Sequence, residues 1–233
     1  MSSALVVLSG GQDSTTCLFL ARQKFKYIHA VTFDYGQRHQ VEIDAAKAVA
    51  ERAGVESHTI LKVPSELLRS TSPLTSANEL ETYDDYASMD EVIGDRVELT
   101  FVPMRNAFFL TMAANLAVSL GVRDLVTGVC QQDNANYPDC RKSFVDAQAQ
   151  AINEALGIGD FKIHTPLINL TKSQSIKLAL SVEGCYEALA YSHTCYAGEV
   201  PPCGKCHACV LRAHGFAEAG VDDPLVVRTR SND

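Results

Sequence analysis

The sequence has no excess of positive charge. Its 233 residues carry a formal net charge of −8. That excludes the broad electrostatic grip of sequence-independent nucleic-acid binding, though not a local basic pocket for a small anion. A long apolar run is also missing. The most apolar stretch, Asn106–Gly121, is interrupted by Asn, Thr and Ser and is short for a membrane span, so it reads as a buried helix. Residues 1–20 contain no basic segment followed by an apolar core and a cleavage site. These absences predict a cytoplasmic chain with no membrane partner. Internal repeats and low-complexity tracts are absent too.

What is present is an ordinary globular composition, 46% hydrophobic and 21% charged. The length suits one large α/β domain with a small appendage. Apolar strand runs alternate with helical patterns: "ALVVL", "YIHAVTFDYG", "ESHTILKV", "RDLVTGV" and "FKIHTPL" are separated by segments of helical periodicity. Gly54 stops one of these helices, and Thr171 with Gln174 three residues on has capping-box spacing. The alternation predicts a five-stranded parallel sheet with helices on both faces. Residues 64–100 break the rhythm with a Ser-, Thr- and acid-rich stretch. Two readings stand for it: a partly mobile lid, or a surface loop without a role.

Between the first strand and the first helix lies Ser9-Gly10-Gly11-Gln12-Asp13-Ser14. The helix start supplies free N–H groups and a positive dipole end, and the glycines let backbone approach an oxyanion. The lysine of the loop that supports attack at a γ-phosphate is missing. Asp13 would repel phosphate by itself, so it reads as a helix cap or a magnesium partner. Strand, loop and helix together resemble the SGGxDS loop of the ATP pyrophosphatase (PP-loop) superfamily. The resemblance implies that ATP is cut between its α- and β-phosphates, giving an adenylate and pyrophosphate.

Four of the eight cysteines crowd into Cys195, Cys203, Cys206 and Cys209. In a reducing compartment such clustering points to metal rather than disulfides. Four thiolates suit a closed, structural, tetrahedral Zn²⁺ site. An iron–sulfur cluster takes the same ligands and stays open as an alternative. His193, His207 and His214 are close enough in sequence to be ligands, but four cysteines suffice, so they read as surface or supporting residues. Cys17, Cys130 and Cys185 lie in apolar stretches and read as buried thiols.

"FDYGQRHQVE", "VPMRNAFFL", "YPDCR" and the C-x7-C-x2-C-x2-C tail occur in that order. The ordered set, from Leu5 to about Arg212, resembles the 7-cyano-7-deazaguanine synthase (QueC) family. The resemblance implies an adenine nucleotide alpha hydrolase-like, Rossmann-like fold. It implies an ATP-binding unit over 1–190 and a zinc-binding tail over 191–233. It further implies a carbon–nitrogen ligase that turns 7-carboxy-7-deazaguanine and ammonia into the nitrile through adenylated intermediates and an amide, as a queuosine precursor. It implies as well that Mg²⁺ accompanies the ATP, that one zinc is held per chain, and that the protein is a homodimer without direct nucleic-acid contact. The nucleotide segment maps to Leu8, Ser9, Gly10, Gly11, Gln12, Asp13, Ser14, Thr15, Thr16, Cys17 and Leu18. Asp13, Ser14, Arg105 and Lys172 are the expected catalytic residues, with Lys172 facing phosphate from a helix start. Arg105 and Arg141 suit the substrate carboxylate, Asp139 its guanine-like edge, and Tyr35 and Tyr137 its flat ring. Arg38 and His39 are further candidates on the same strand-end face.

Two rivals remain at this stage. A base-adenylating tRNA enzyme of the same superfamily would need a basic surface, against the net charge of −8. A nucleotide-sensing module would bind ATP without turnover.

Overall fold

Strand and helix alternate from the first residues of the computed structural model, in which residues 2–37, 41–130 and 136–230 are described. Strand β1 (Ser3–Val7) leads into helix α1 (Gln12–Lys24), followed by β2 (Tyr27–Asp34), α2 (Val41–Ala53) and β3 (Ser57–Lys62). Helix α3 (Tyr86–Ile93) lies in the polar insertion. Then come α4 (Arg105–Ser119), β4 (Asp124–Val126), α5 (Lys142–Leu156), β5 (Lys162–His164) and α6 (Lys172–Leu180). The chain finishes with α7 (Cys185–Leu189), α8 (His207–Ala219) and α9 (Pro224–Arg230).

The five strands form one parallel sheet in the order β3-β2-β1-β4-β5. Side chains alternate across it. Ala4 and Val6 join the core under α1, α2, α6 and α7, with Leu18, Val49, Ile176 and Leu189. Leu5 between them joins the opposite core, with Leu110, Ala117 and Ile152 of α4 and α5. A sheet covered on both faces is what parallel pairing requires. The order reverses beside β1: the chain builds outward through β2 and β3, then crosses back to lay β4 on the other side. The crevice beyond the carboxyl ends of β1 and β4 is therefore where a ligand belongs.

Local signals hold. Gly54 follows α2 at φ +63°, and Thr171 and Gln174 form the reciprocal capping box of α6. The strands β4 and β5 are shorter than their apolar runs, because the ladder ends where the chain turns into the crevice. Helix α4 differs from its reading as a buried helix. Only Leu110, Ala113, Ala114 and Ala117 are buried, and Phe108 is 42% exposed. It packs one face on the sheet and turns the other outward. Among the described residues no helix is long and apolar enough to cross a membrane.

The insertion spends its hydroxyls on its own backbone: Ser72 Oγ donates to Thr100 O at 2.9 Å, and Asp85 and Ser88 form a capping box on α3. Tyr83, Met89 and Ile93 pack against Val210 and Leu211 of α8. Tyr86 stacks on His214 with ring centroids 3.8 Å apart. Thr82 makes an antiparallel bridge to Cys206, and Tyr83 N donates to Lys205 O at 2.8 Å. The insertion thus rests on the cysteine tail. That tail is more helical than its turn-rich composition implies, and α8 lies along α6. Buried Arg212 anchors it, donating to Asp223 at 2.6 and 2.8 Å and to Ser192 Oγ at 2.9 Å.

Candidate active site

The loop after β1 folds on its own hydrogen bonds. Ser14 Oγ donates to Gly11 O at 3.0 Å and accepts from Ser9 N at 3.2 Å, and Gly11 N donates to Ser9 Oγ at 3.2 Å. Gly11 caps α1 with no side chain laid over the first turn, which leaves that turn open to an oxyanion. Two glycines are forced by space. Gly10, at φ +89°, backs onto α2, where a Cβ would stand 2.3 Å from Glu42 O. Gly128, just past β4, would put a Cβ 2.9 Å from Ser14 N. Helix α2 on one side and the turn after β4 on the other therefore clamp the loop backbone to backbone.

Leu8, Ser9, Gly11, Gln12, Asp13 and Ser14 line a cleft of about 350 Å³. Gly10 turns away from it, and Thr15, Thr16, Cys17 and Leu18 run on into α1, buried beneath. Asp13 is not a helix cap. Its Oδ2 accepts from Lys172 Nζ at 2.7 Å, from the first turn of α6. The loop's carboxylate is thereby balanced by a lysine supplied from 159 residues further along the chain.

The cleft's other wall is aromatic. Phe33 stacks on Phe109 with centroids 4.2 Å apart, and Tyr35 leans on Phe109 at 5.3 Å. Arg105, the first residue of α4, lines the cleft with Tyr35, whose hydroxyl feels its charge. Burial works against its charge, but its surroundings, Asp139 among them, hold its pKa above the ordinary arginine value. Burial likewise pushes up the Tyr35, Tyr137 and Tyr196 hydroxyls, so all three stay protonated donors. The Tyr137 hydroxyl pairs with Thr100 Oγ1 and bonds to the buried Glu98 carboxylate at 3.2 Å. Arg141 is exposed at the cleft's rim.

Asp139 does not join this wall. It is buried beneath α4, where its Oδ2 accepts from Asn106 N at 3.1 Å and its carbonyl from Asn106 Nδ2 at 3.1 Å. Arg38 and His39 lie outside the described residues.

Several cleft residues escaped the sequence reading. Glu42 lines it from the first turn of α2, its carboxyl pushed up to about 7 by burial against the pull of Arg105. Its only sequence signal was its place at the end of "FDYGQRHQVE", and an acid in a first helical turn ordinarily answers the helix dipole. His193 and His207 line the cleft as well, and both are buried rather than at the surface. His193 Nε2, both ring nitrogens of His207 and both amide atoms of Gln12 have no partner among the described residues. Buried polar atoms without partners are costly, and here their side chains line one cleft.

The four cysteine sulfurs lie within 4.8 Å of one another. Cys203 Sγ and Cys209 Sγ are 3.8 Å apart, and sulfurs about 2.3 Å from a tetrahedral zinc stand roughly 3.8 Å from each other. Backbone N–H groups of Tyr196, Cys203, Lys205 and Cys206 point at the sulfurs at 3.4 Å. Cys195 gives up its proton most readily, because Cys206 and Cys209 donate to it, as does His193. Donor type and spacing fit a resident metal ion. The cluster also touches the loop: His193 N donates to Gly10 O at 2.8 Å, and a Cβ on Gly11 would sit 3.4 Å from the Thr194 methyl.

Comparison with known proteins matches residues 3–220 to the family model described as "Queuosine biosynthesis protein QueC". A 7-cyano-7-deazaguanine synthase of Gloeobacter violaceus is 51% identical over 230 residues, covering 97% of this chain and 96% of that protein. One from Laribacter hongkongensis is 50% identical over 226 residues, covering 97% and 94%. Among solved structures, a 4-thiouridine synthetase in complex with RNA and ATP matches with a TM-score of 0.50 at 15% identity. It covers 97% of this chain and 52% of that one, a likeness of fold alone.

Proposed function

The chain belongs to the QueC family, and from that premise we propose that it makes 7-cyano-7-deazaguanine from 7-carboxy-7-deazaguanine, ammonia and ATP, as an ATP-dependent carbon–nitrogen ligase. One observation carries the reading. The open phosphate loop and the Arg105–aromatic wall face the same cleft, so a triphosphate and a flat carboxylic acid can meet there.

In this reading, Ser9, Gly11, Gln12 and Ser14 hold the β- and γ-phosphates with backbone and hydroxyl donors. Lys172, held against Asp13 at 2.7 Å, faces the α-phosphate. Arg105 and Arg141 orient the substrate carboxylate, and Tyr35 and Tyr137 flank its ring. A carboxylate oxygen attacks the α-phosphorus and pyrophosphate leaves. Ammonia then displaces AMP to give the amide. A second ATP activates the amide oxygen, and loss of AMP leaves the nitrile. The protein contributes position and charge rather than covalent chemistry. Mg²⁺ carried with the ATP would neutralise phosphate charge. Zinc on Cys195, Cys203, Cys206 and Cys209 would tie the tail together. Residues 1–190 then serve as the ATP-binding unit and 191–233 as the metal-holding unit that buttresses it. A homodimer in the cytoplasm acting on a free small molecule completes the reading. The net charge of −8 speaks against an RNA partner.

The test is a product assay with the acid, ammonia, Mg²⁺ and ATP. Nitrile with AMP and pyrophosphate is expected. ADP and phosphate would overturn the adenylation step, and ATP binding without products would favour a sensing module.

A further inference from the structure

Among the described residues two carboxylate side chains line the cleft, Asp13 and Glu42. Lys172 holds Asp13. Glu42 has no such partner: it feels the charge of Arg105 and yet makes no ion pair among the described residues. Its place is fixed, because its backbone oxygen is wedged against Gly10. A carboxylate facing a cleft built for a triphosphate and a carboxylic acid repels both, unless something in the cleft donates hydrogen bonds to it.

The ligand that answers this arrangement is a planar ring with an anionic substituent toward Arg105 and adjacent N–H donors toward Glu42. A carboxylate takes two neighbouring N–H groups side by side, through its two oxygens. Asp139, the residue whose type first suggested this task, is occupied at the start of α4. We propose that Glu42 receives the lactam N–H and exocyclic amino edge of the deazaguanine ring and so selects guanine-like acids. This rests on the function proposed above. Glu42 and Arg105 then act as two opposite charges lining one cleft, each reserved for one end of the substrate.

The test is direct binding to the metal-loaded protein, so that no turnover is required. The probes are 7-carboxy-7-deazaguanine, its analogue lacking the 2-amino group, and ATP with Mg²⁺. The wild type should bind the analogue about 10- to 100-fold more weakly than the parent acid. In Glu42→Gln the parent acid should weaken by a similar factor and the gap to the analogue should close to about threefold. ATP affinity should hold, and the variant should remain folded. A gap that persists in Glu42→Gln overturns the assignment while leaving the proposed function standing. So does an unchanged acid affinity accompanied by weaker binding of ATP with Mg²⁺, which would make Glu42 a metal contact. A wild-type protein that does not bind the acid removes the proposed function itself, and the assignment with it.

Discussion

The phosphate loop and the cysteine knuckle are both turn-rich, and both face the cleft, but they are held by different forces. The loop backbone keeps its shape without a ligand: Ser9, Gly11 and Ser14 hydrogen-bond one another, and Gly10 and Gly128 clamp it between α2 and β4. The knuckle gathers four sulfurs at one point with little more than 3.4 Å N–H contacts around them, so its shape depends on the ion those sulfurs bind. The two regions meet where His193 N donates to Gly10 O at 2.8 Å. Damage should therefore travel from knuckle to loop more readily than in reverse.

Cys206→Ser breaks the comparison hardest. Structural zinc contributes on the order of 10 kcal/mol to small knuckles, and Cys206 also bridges to Thr82 of the insertion. Metal content should fall, the unfolding midpoint should drop by about 10 °C or more, and ATP affinity should weaken along with them. Elemental analysis, thermal melts and ATP titration read the three together. Full metal retention would remove Cys206 from the ligand set, and metal loss with ATP affinity intact would sever the link between the regions.

Asp13→Asn is the reverse lesion, chemical rather than architectural. It removes the acceptor of Lys172 at 2.7 Å in a partly open pair. Turnover should fall about 100-fold or more, while stability changes by about 1 kcal/mol. Equal loss of folding and turnover would make the pair a structural strut. Gly215→Ala sits between the regions. A Cβ there would stand 2.5 Å from Lys172 Cγ, with Lys172 Cβ at 2.9 Å and Ile176 Cδ1 at 3.1 Å. The lysine stem must shift, so turnover should drop about tenfold with metal content unchanged. A fully active variant would show that Lys172 has room to adjust.

The sheet was readable because each strand is a short apolar run and helices such as α2 and α6 carry their own stop or cap, at Gly54 and Thr171. The loop and the cysteine set were readable because their chemistry is written in consecutive residues. Helix α8 was not, because it starts inside the knuckle and carries Gly215, which reads as a breaker. The structure gives that glycine a packing reason, the stem of Lys172. Asp139 has the right chemistry for a substrate contact, and only tertiary structure shows that the start of α4 claims it. Glu42, His193 and His207 come from three different elements, and no local pattern announces that they converge.

Glu42 carries an effect on stability that only a change of pH reveals. Burial raises its carboxyl from the ordinary 4.5 to about 7 in the folded protein, so the unfolded chain ionises first. Folding is then favoured by this group below about pH 4.5, and that contribution is lost as pH rises through 7. The loss is at most about 3 kcal/mol, and smaller wherever the cleft admits water. Glu42→Gln cannot titrate, so the stability of the wild type relative to this variant should decline across that window and level off above it. Denaturant unfolding of the metal-loaded proteins between pH 5.5 and 8.5 covers the upper part of the window. A difference that stays constant with pH would mean that the carboxyl is solvated in the free protein. A declining one would mean that the cleft holds an anion at a cost in stability, a cost that binding the ring's donor edge would offset.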